Sequence, residues 1–467
     1  MRRARCAGLS ALGVGVVLLD AERELVIRGE RVVLPVGERP ASVHVRDGKI
    51  VAVAPYNEQP AGVRAIDTGS MVVLPGLVDT HVHMNDPGRA DWEGADHATR
   101  AAAAGGVTTV VDMPLNSIPA TTDVAALRAK VQALGGRCHV DVAFWGGIVP
   151  GNAAHLDALA AAGVRGFKCF LSPSGVDEFP HVNASDLREA LPYLARLQLP
   201  LLVHAELPDR LRIPEGDPRA YATWLESRPP SAEVAAIELL IELAAASGAR
   251  LHVVHLAAAD GVPALRAARR RGVPITVETC PHYLLFAAEE IPDGATAFKC
   301  APPIRERRHR EALWQALMDG DIDLIASDHS PAPAALKHVA DGDFIQAWGG
   351  IASLEVAFPV VATRAHDRGI PVTRLAEWMA AAPARLAGLR DVKGAIQPGA
   401  DADFAIWDPD AVAVIDPSTL HQRHPVTPYA GMTIRGRVRT TILRGTVIFS
   451  DGEVLPAPSG RMIGARP

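Results

Sequence analysis

The sequence predicts an α/β protein, a TIM (β/α)8 barrel joined to a small β-sandwich domain built from both chain ends. Eight apolar runs of strand length lie between Met71 and about Ser330, most of them followed by a stretch of helix composition, the alternation expected of parallel βα units. Residues 24–70 and 392–455 instead carry short β-rich runs separated by turn signals, and two terminal segments of one kind suggest one shared domain. A chain of 467 residues accommodates a barrel of about 250 residues or more with a satellite domain.

The strand runs are Met71–Asp79, Val107–Met113, Val140–Ile148, Val164–Leu171, Pro200–Glu206, Leu251–Leu256, Pro274–Thr279 and Ile322–Ser327. Between them the Ala- and Leu-rich stretches Ala95–Ala104, Val124–Leu134, Asp186–Leu197, Ala232–Ala246 and Val262–Arg271 supply the outer helices, so the barrel is placed at 71–391. Residues 1–23 are expected to be a disordered N-terminal extension. Their basic start, Met1–Arg5, and apolar run, Cys6–Leu19, have the outline of a signal peptide. However, no small-x-small cleavage site precedes Asp20, the run is too short to span a bilayer, and Glu24–Gly29 already reads as a strand.

Lys and Arg number 47 against 53 Asp and Glu, a formal net charge of −6. No basic field exists for a polyanion, which argues against nucleic acid as a partner, and no apolar run suits a membrane. Five cysteines lie far apart without a C-x-x-C pair, which fits a reducing, cytoplasmic setting and offers no zinc-ribbon ligands.

The chemistry is carried by strand ends. Val78-Asp79-Thr80-His81-Val82-His83 places two imidazoles at i and i+2 after an apolar run; alternation turns both to one side, and in a barrel that end faces the active site. His204 ends the fifth run, His255 the sixth and Asp328 the eighth. Imidazoles and a carboxylate converging on one barrel face suit zinc or a similar divalent ion. His252 lies three residues before His255 and is expected on the opposite face; it, His139 and His282 read as structural. Lys168 ends the fourth run in Gly166-Phe167-Lys168-Cys169-Phe170. An apolar setting lowers an ammonium's pKa, and a neutral amine there can add carbon dioxide to form a carbamate; a lysine reaching along the strand end to water is the plain alternative.

The set His81, His83, Lys168, His204, His255 and Asp328 resembles the binuclear amidohydrolase superfamily, in the order of its cyclic-amide branch of dihydroorotases, hydantoinases and allantoinases. The resemblance covers nearly the whole chain beyond residue 24. It implies two divalent ions, zinc with cobalt or manganese as alternatives, bridged by a carboxylated Lys168. His81, His83 and Asp328 would then hold one ion and His204 and His255 the other. Such a centre would generate a hydroxide near neutral pH and aim it at a ring carbonyl, with Asp328 taking the proton and returning it to the leaving nitrogen. A homotetramer is the assembly the resemblance implies.

Within the branch, dihydroorotases carry H-x-H-x-R where this chain has His83-Met84-Asn85, and Ala301 and Ala332 replace two further residues of their motifs. Hydantoinases and dihydropyrimidinases place a tyrosine where Pro173 stands. The segments Gly166–Ser172, Trp224–Pro230, Glu278–Leu284, Phe298–Arg305, Ser327–Pro331 and Ala347–Ile351 are similar to those of the allantoinase family. This implies hydrolysis of a neutral ureide ring, allantoin to allantoate, in purine breakdown. A hydantoinase-like amidase is the alternative, followed by a dihydroorotase or a non-enzymatic scaffold. A neutral substrate needs hydrogen-bond partners rather than counter-ions. Asn116 is one candidate, a turn cap before Pro119 being its other reading; backbone groups at Cys300 and Gly349 are candidates by resemblance, and Trp348 would cover the site.

Overall fold

The protein was analysed as a computed structural model that describes residues 24–465; the expectation for residues 1–23 lies outside the described residues. Two parallel sheets form the centre. One runs Leu324–Ile325, Ile275–Thr279, Leu251–Val253, Leu201–His204, Phe167–Phe170, Gly146–Gly147, and the other Leu77–Val82, Val107–Asp112, Asp141–Phe144. Every neighbouring pair is parallel. The two sheets meet at Trp145, whose backbone N–H donates to the Asp112 carbonyl (3.0 Å) and whose indole donates to the Thr80 carbonyl (2.8 Å). At the far side His83 N–H donates to the His329 carbonyl (2.8 Å) and His329 N–H to that of His81 (3.2 Å), beside a parallel bridge between Val82 and His329.

Alternation along these strands separates two apolar regions. Leu201, Val203, Leu251, Val253, Ile275 and Val277 pack in the core shared with the helices, whereas Val78, Val111, Leu202, Val254, Leu324 and Ala326 make a distinct inner core. That is the arrangement expected of strands buried on both faces. The helices include Ala95–Ala104, Val124–Leu134, Ala184–Leu197, Pro230–Ser247 and Val262–Arg270, within two residues of the sequence reading. Asn183 and Asp186 start the third of these with a reciprocal capping box.

The run read as one strand, Met71–Asp79, is two. Val72–Pro75 pairs with Phe404–Val414 and Glu24–Leu34 in the terminal sheet, and Leu77–Val82 starts the parallel strands. Pro75 and Gly76 make the break. A Cβ at Gly76 would lie 2.2 Å from Thr108 Oγ1 and 2.8 Å from Asp403 Cβ, so only glycine admits this approach of the two layers. Among the described residues, strands from both chain ends hydrogen-bond into one nine-stranded sheet. Its path runs from Glu453–Val454 through Thr446–Ser450, Thr433–Leu443, Phe404–Val414, Val72–Pro75, Glu24–Leu34 and Gly37–Arg46 to Lys49–Ala54, with Ala65–Asp67 beside Glu24–Leu34. Its own core includes Ile27, Val43, Val73, Phe404, Ile406 and Ile442. A buried ionic hub ties it to the parallel strands: Lys393 Nζ contacts Asp141, Asp401 and Asp403 at 2.6, 2.9 and 2.7 Å, and Arg444 also binds Asp141. Among the described residues no helix is long and apolar enough to cross a membrane.

Candidate metal centre

The strand Leu77–Val82 delivers His81 and His83 to one point. His81 Nε2 lies 3.2 Å and His83 Nε2 3.7 Å from Asp328 Oδ1, and the three donor atoms fall within 4.8 Å of one another. Beside them His204 Nδ1 is 3.0 Å from His255 Nε2, and the His81 and His255 ring centroids are 5.4 Å apart. Two nitrogens on one tetrahedral ion at 2.0–2.1 Å stand about 3.3 Å apart, so both groups have the spacing of a ligand pair. Asp328 and His255, each just beyond a strand, sit in left-handed backbone, φ 46° and 42°, a conformation that costs free energy.

Lys168 is wholly buried and its Nζ has no hydrogen-bond partner among the described residues. It lies 4.8 Å from the Phe170 ring, and burial pushes its pKa down to about 8. An orphaned amine within electrostatic reach of His83, His204, His255 and Asp328 is the setting in which the neutral, carbon-dioxide-reactive form is populated. Burial also lowers His204 to about 4 and takes His83 and His255 well below the usual histidine range, Lys168 adding to each. Neutral imidazoles are what a divalent ion requires. The donor set therefore fits two divalent cations, with His81, His83 and Asp328 as one group and His204 and His255 as the other.

Carboxylates behind the ligands orient them. Glu278 Oε1 accepts from His81 Nδ1 at 2.5 Å and Oε2 from His252 Nε2 at 3.0 Å, His252 Nδ1 facing Thr276 Oγ1 at 2.8 Å. Burial would raise Glu278, but His81 and His252 hold it well below the usual carboxylate range. This leaves His81 Nε2 free for an ion. Glu206 likewise meets His204 Nε2 (2.6 Å) and is held by Arg228 Nη2 (2.6 Å). Asp79 accepts backbone N–H bonds from His81 (3.0 Å) and Ser327 (3.1 Å), tying the first strand to the last. His252 is structural, but not on the opposite face. It pairs in register with Leu202, which pairs with Lys168, so its ring enters the inner core. The regular strand ends at Val253 and His255 is left-handed, which voids a count of alternation across the two. His139 binds Asp96 (3.1 Å), and His282 is buried with one ligand atom within 4.8 Å of those of Cys280 and Asp328, neither of its ring nitrogens being paired among the described residues.

The ligands floor a cavity of about 310 Å³. Asn116 lines it with φ 66°, its Nδ2 3.4 Å from His83 Nδ1 and its Oδ1 without a partner among the described residues; the amide faces the site rather than capping a turn. Gly349 lines it as well, and Trp348, edge-on to Trp92 at 4.8 Å, walls it. Cys300 does not. Its side chain is buried and its carbonyl takes the Trp224 indole N–H (3.0 Å), while Lys299 and Ala301 on either side reach the cavity. Sequence reasoning missed Glu278, Glu206 and Arg228 as supports; the carboxylates stand at strand ends between residues already singled out, which is the signal that could have found them.

A profile of the amidohydrolase family matches residues 72–448, and the chain belongs to that family. Among its relatives it is 51% identical to the allantoinase of Streptomyces avermitilis over 95% of this chain and 99% of that protein. It is 45% identical to the allantoinase of Arabidopsis thaliana over 91% and 88%, and 46% identical to that of Saccharomyces cerevisiae over 84% and 86%. A solved structure of L-hydantoinase (dihydropyrimidinase) from Arthrobacter aurescens is similar in fold, with a TM-score of 0.89, 31% identity and coverage of 94% of this chain and 99% of that one.

Proposed function

We propose that this chain is a metal-dependent allantoinase that opens the ring amide of allantoin to give allantoate. Its likeness to allantoinases over nearly the full chain supports the activity. The observation that carries the substrate is the state of the cations around the cavity. Arg228 is held by Glu206, Lys299 by the carbonyls of Ile345 (2.9 Å) and Ala347 (2.5 Å), and His338 by Asp341 (3.0 Å). Asn85, where an arginine would clamp a carboxylate, is buried beside Pro331. A neutral ring suits such a pocket, because an unpaired anion there carries an uncompensated desolvation cost.

Two divalent ions, zinc with cobalt or manganese as alternatives, would be held by His81, His83 and Asp328 and by His204 and His255, and a carboxylated Lys168 would complete the donor set. When bound they polarise a ring carbonyl and make a water acidic near neutral pH. The remaining work falls to the chain. Asp328, raised by burial above the usual carboxylate range, accepts the proton of the attacking water and delivers it to the leaving nitrogen. Asn116 offers an amide to the ring, and Trp348 and Trp224 keep bulk water from it. The two parallel sheets are read as one closed barrel within 71–391 whose first strand is Leu77–Val82, with 24–70 and 392–455 as the satellite domain, which Val72–Pro75 joins. The bridge from Val82 to His329 and the hydantoinase likeness support that reading. A cytoplasmic homotetramer completes it.

The test is steady-state kinetics of the zinc-, cobalt- or manganese-loaded protein on allantoin, hydantoin, dihydrouracil and dihydroorotate. The kcat/KM for allantoin is expected to exceed that for dihydroorotate by about 10³ or more, an unpaired buried charge being worth several kcal/mol at about 1.36 kcal/mol per decade. Comparable values for the two would refute the allantoin assignment and leave the metal site standing.

A further inference from the structure

Two walls of the cavity, one at Lys299 and Ala301 and the other at Ala347–Gly349, come from segments about fifty residues apart, and neither belongs to a strand or helix. Loops of that kind have no ladder to hold them. One buried ammonium does the joining. Lys337 Nζ donates to the carbonyls of Lys299 (3.0 Å), Trp348 (2.9 Å) and Gly350 (2.8 Å), while Lys337 itself is 3% exposed. The Gly350 N–H adds a direct bond to the Lys299 carbonyl (3.0 Å), and Lys299 Nζ reaches back to Ile345 and Ala347. The N–H groups of Ala301 and Gly349 take no part in these bonds, and both residues border the cavity.

We infer that Lys337 is a positioning residue for substrate recognition: its ammonium fastens the two loop backbones to each other and so sets the direction in which their polar groups meet the substrate. An ammonium has three N–H donors and no acceptor. All three are matched to carbonyls here, so Lys337 has none left for a substrate and acts only through the backbone. Its neighbours are not metal ligands, so its effect is separable from ion binding. A lysine is costly to bury, and burial, with Lys299 near by, pushes this one down to about 7. Three carbonyl acceptors favour its charged form, and no hydrocarbon of the same length could satisfy them.

The inference rests on the allantoinase reading, which the parent holoenzyme tests by itself: if the parent does not turn over allantoin, that reading fails first. In metal-loaded Lys337→Met, metal content is expected to equal the parent's while KM for allantoin rises at least tenfold and kcat changes less, the pattern of lost binding contacts. In Lys337→Ala, n-propylamine, which supplies the missing carbons and the ammonium, is expected to restore KM in a saturable way, and n-propanol is not. Should the methionine variant not fold, Lys337→Gln is read in the same manner. A variant with parent KM and kcat and only a lower melting temperature would overturn the inference, as would a loss of activity that tracks loss of metal.

Discussion

Replacing Glu278 with glutamine isolates the part played by a single buried charge. Its two oxygens accept one N–H each, from His81 Nδ1 at 2.5 Å and His252 Nε2 at 3.0 Å, with no exposed surface. A carboxamide has one acceptor oxygen, and its NH2 must face the other ring. His252 can adapt, since its Nδ1 can turn donor to Thr276 Oγ1 and leave Nε2 to accept. His81 then keeps a bond, but a neutral one. Bonds to charged groups are worth about 1.5–3 kcal/mol against about 1 for neutral ones. The loss of about 0.5–2 kcal/mol corresponds to roughly 2- to 30-fold weaker metal binding at about 1.36 kcal/mol per decade. Glu278→Ala removes both acceptors and strands the buried His81 N–H at about 1–3 kcal/mol, so its loss should exceed that of Glu278→Gln. Chelator competition with zinc, read by elemental analysis of the desalted protein, measures both. Parent affinity in Glu278→Gln, with an unchanged fold by circular dichroism, would refute the claim that this carboxylate orients His81.

Lys168→Ala is expected to lose metal and activity together, with partial return on adding short carboxylic acids and metal; an active, metal-loaded parent whose intact mass and density show an unmodified lysine would rule out the carbamate. Asp328→Asn should bind metal more weakly and lose far more in kcat than in KM, because the missing proton transfer belongs to the transition state; near-parent kcat in the loaded variant would remove that role. Glu206 and Glu278 are both held below the usual carboxylate range in the folded chain, Arg228, His204, His81 and His252 outweighing burial. Their stabilisation is therefore present above the unfolded value of about 4.3 and is lost as pH falls below it. Thermal melts should show the decline, and Glu206→Gln should flatten it.

The convergence of His81, His83, His204, His255 and Asp328 on one cavity was legible, because each stands where an apolar run ends and the barrel rule assigns that end to chemistry. Helix spans were legible for the same reason of periodicity: Val124–Leu134 and Ala95–Ala104 match residue for residue. Three things were not. The break at Pro75-Gly76 lies inside an unbroken apolar run, and only the approach of Thr108 and Asp403 reveals it. His252 was assigned to the wrong face because alternation was counted past the end of a three-residue strand and through a left-handed residue. The lysines that bind loop carbonyls leave no periodic trace, since their partners are backbone atoms of segments distant in sequence.

The seam of the terminal sheet pairs Val72–Pro75 with Phe404–Trp407, strands separated by 328 residues numbered 76–403. At about 5–20 residues per second of synthesis, the ribosome needs roughly 15 to 65 s to supply the second strand after the first. For that interval the hydrogen-bonding edge of Val72–Pro75 and the apolar side chains of Ile27, Val43 and Val73 have no C-terminal partner. A nascent chain in this state presents a ready template for another strand. The last 60 or so residues thus end a period of exposure as well as completing a domain, and truncation before Phe404 should yield aggregates rather than a free-standing set of parallel strands.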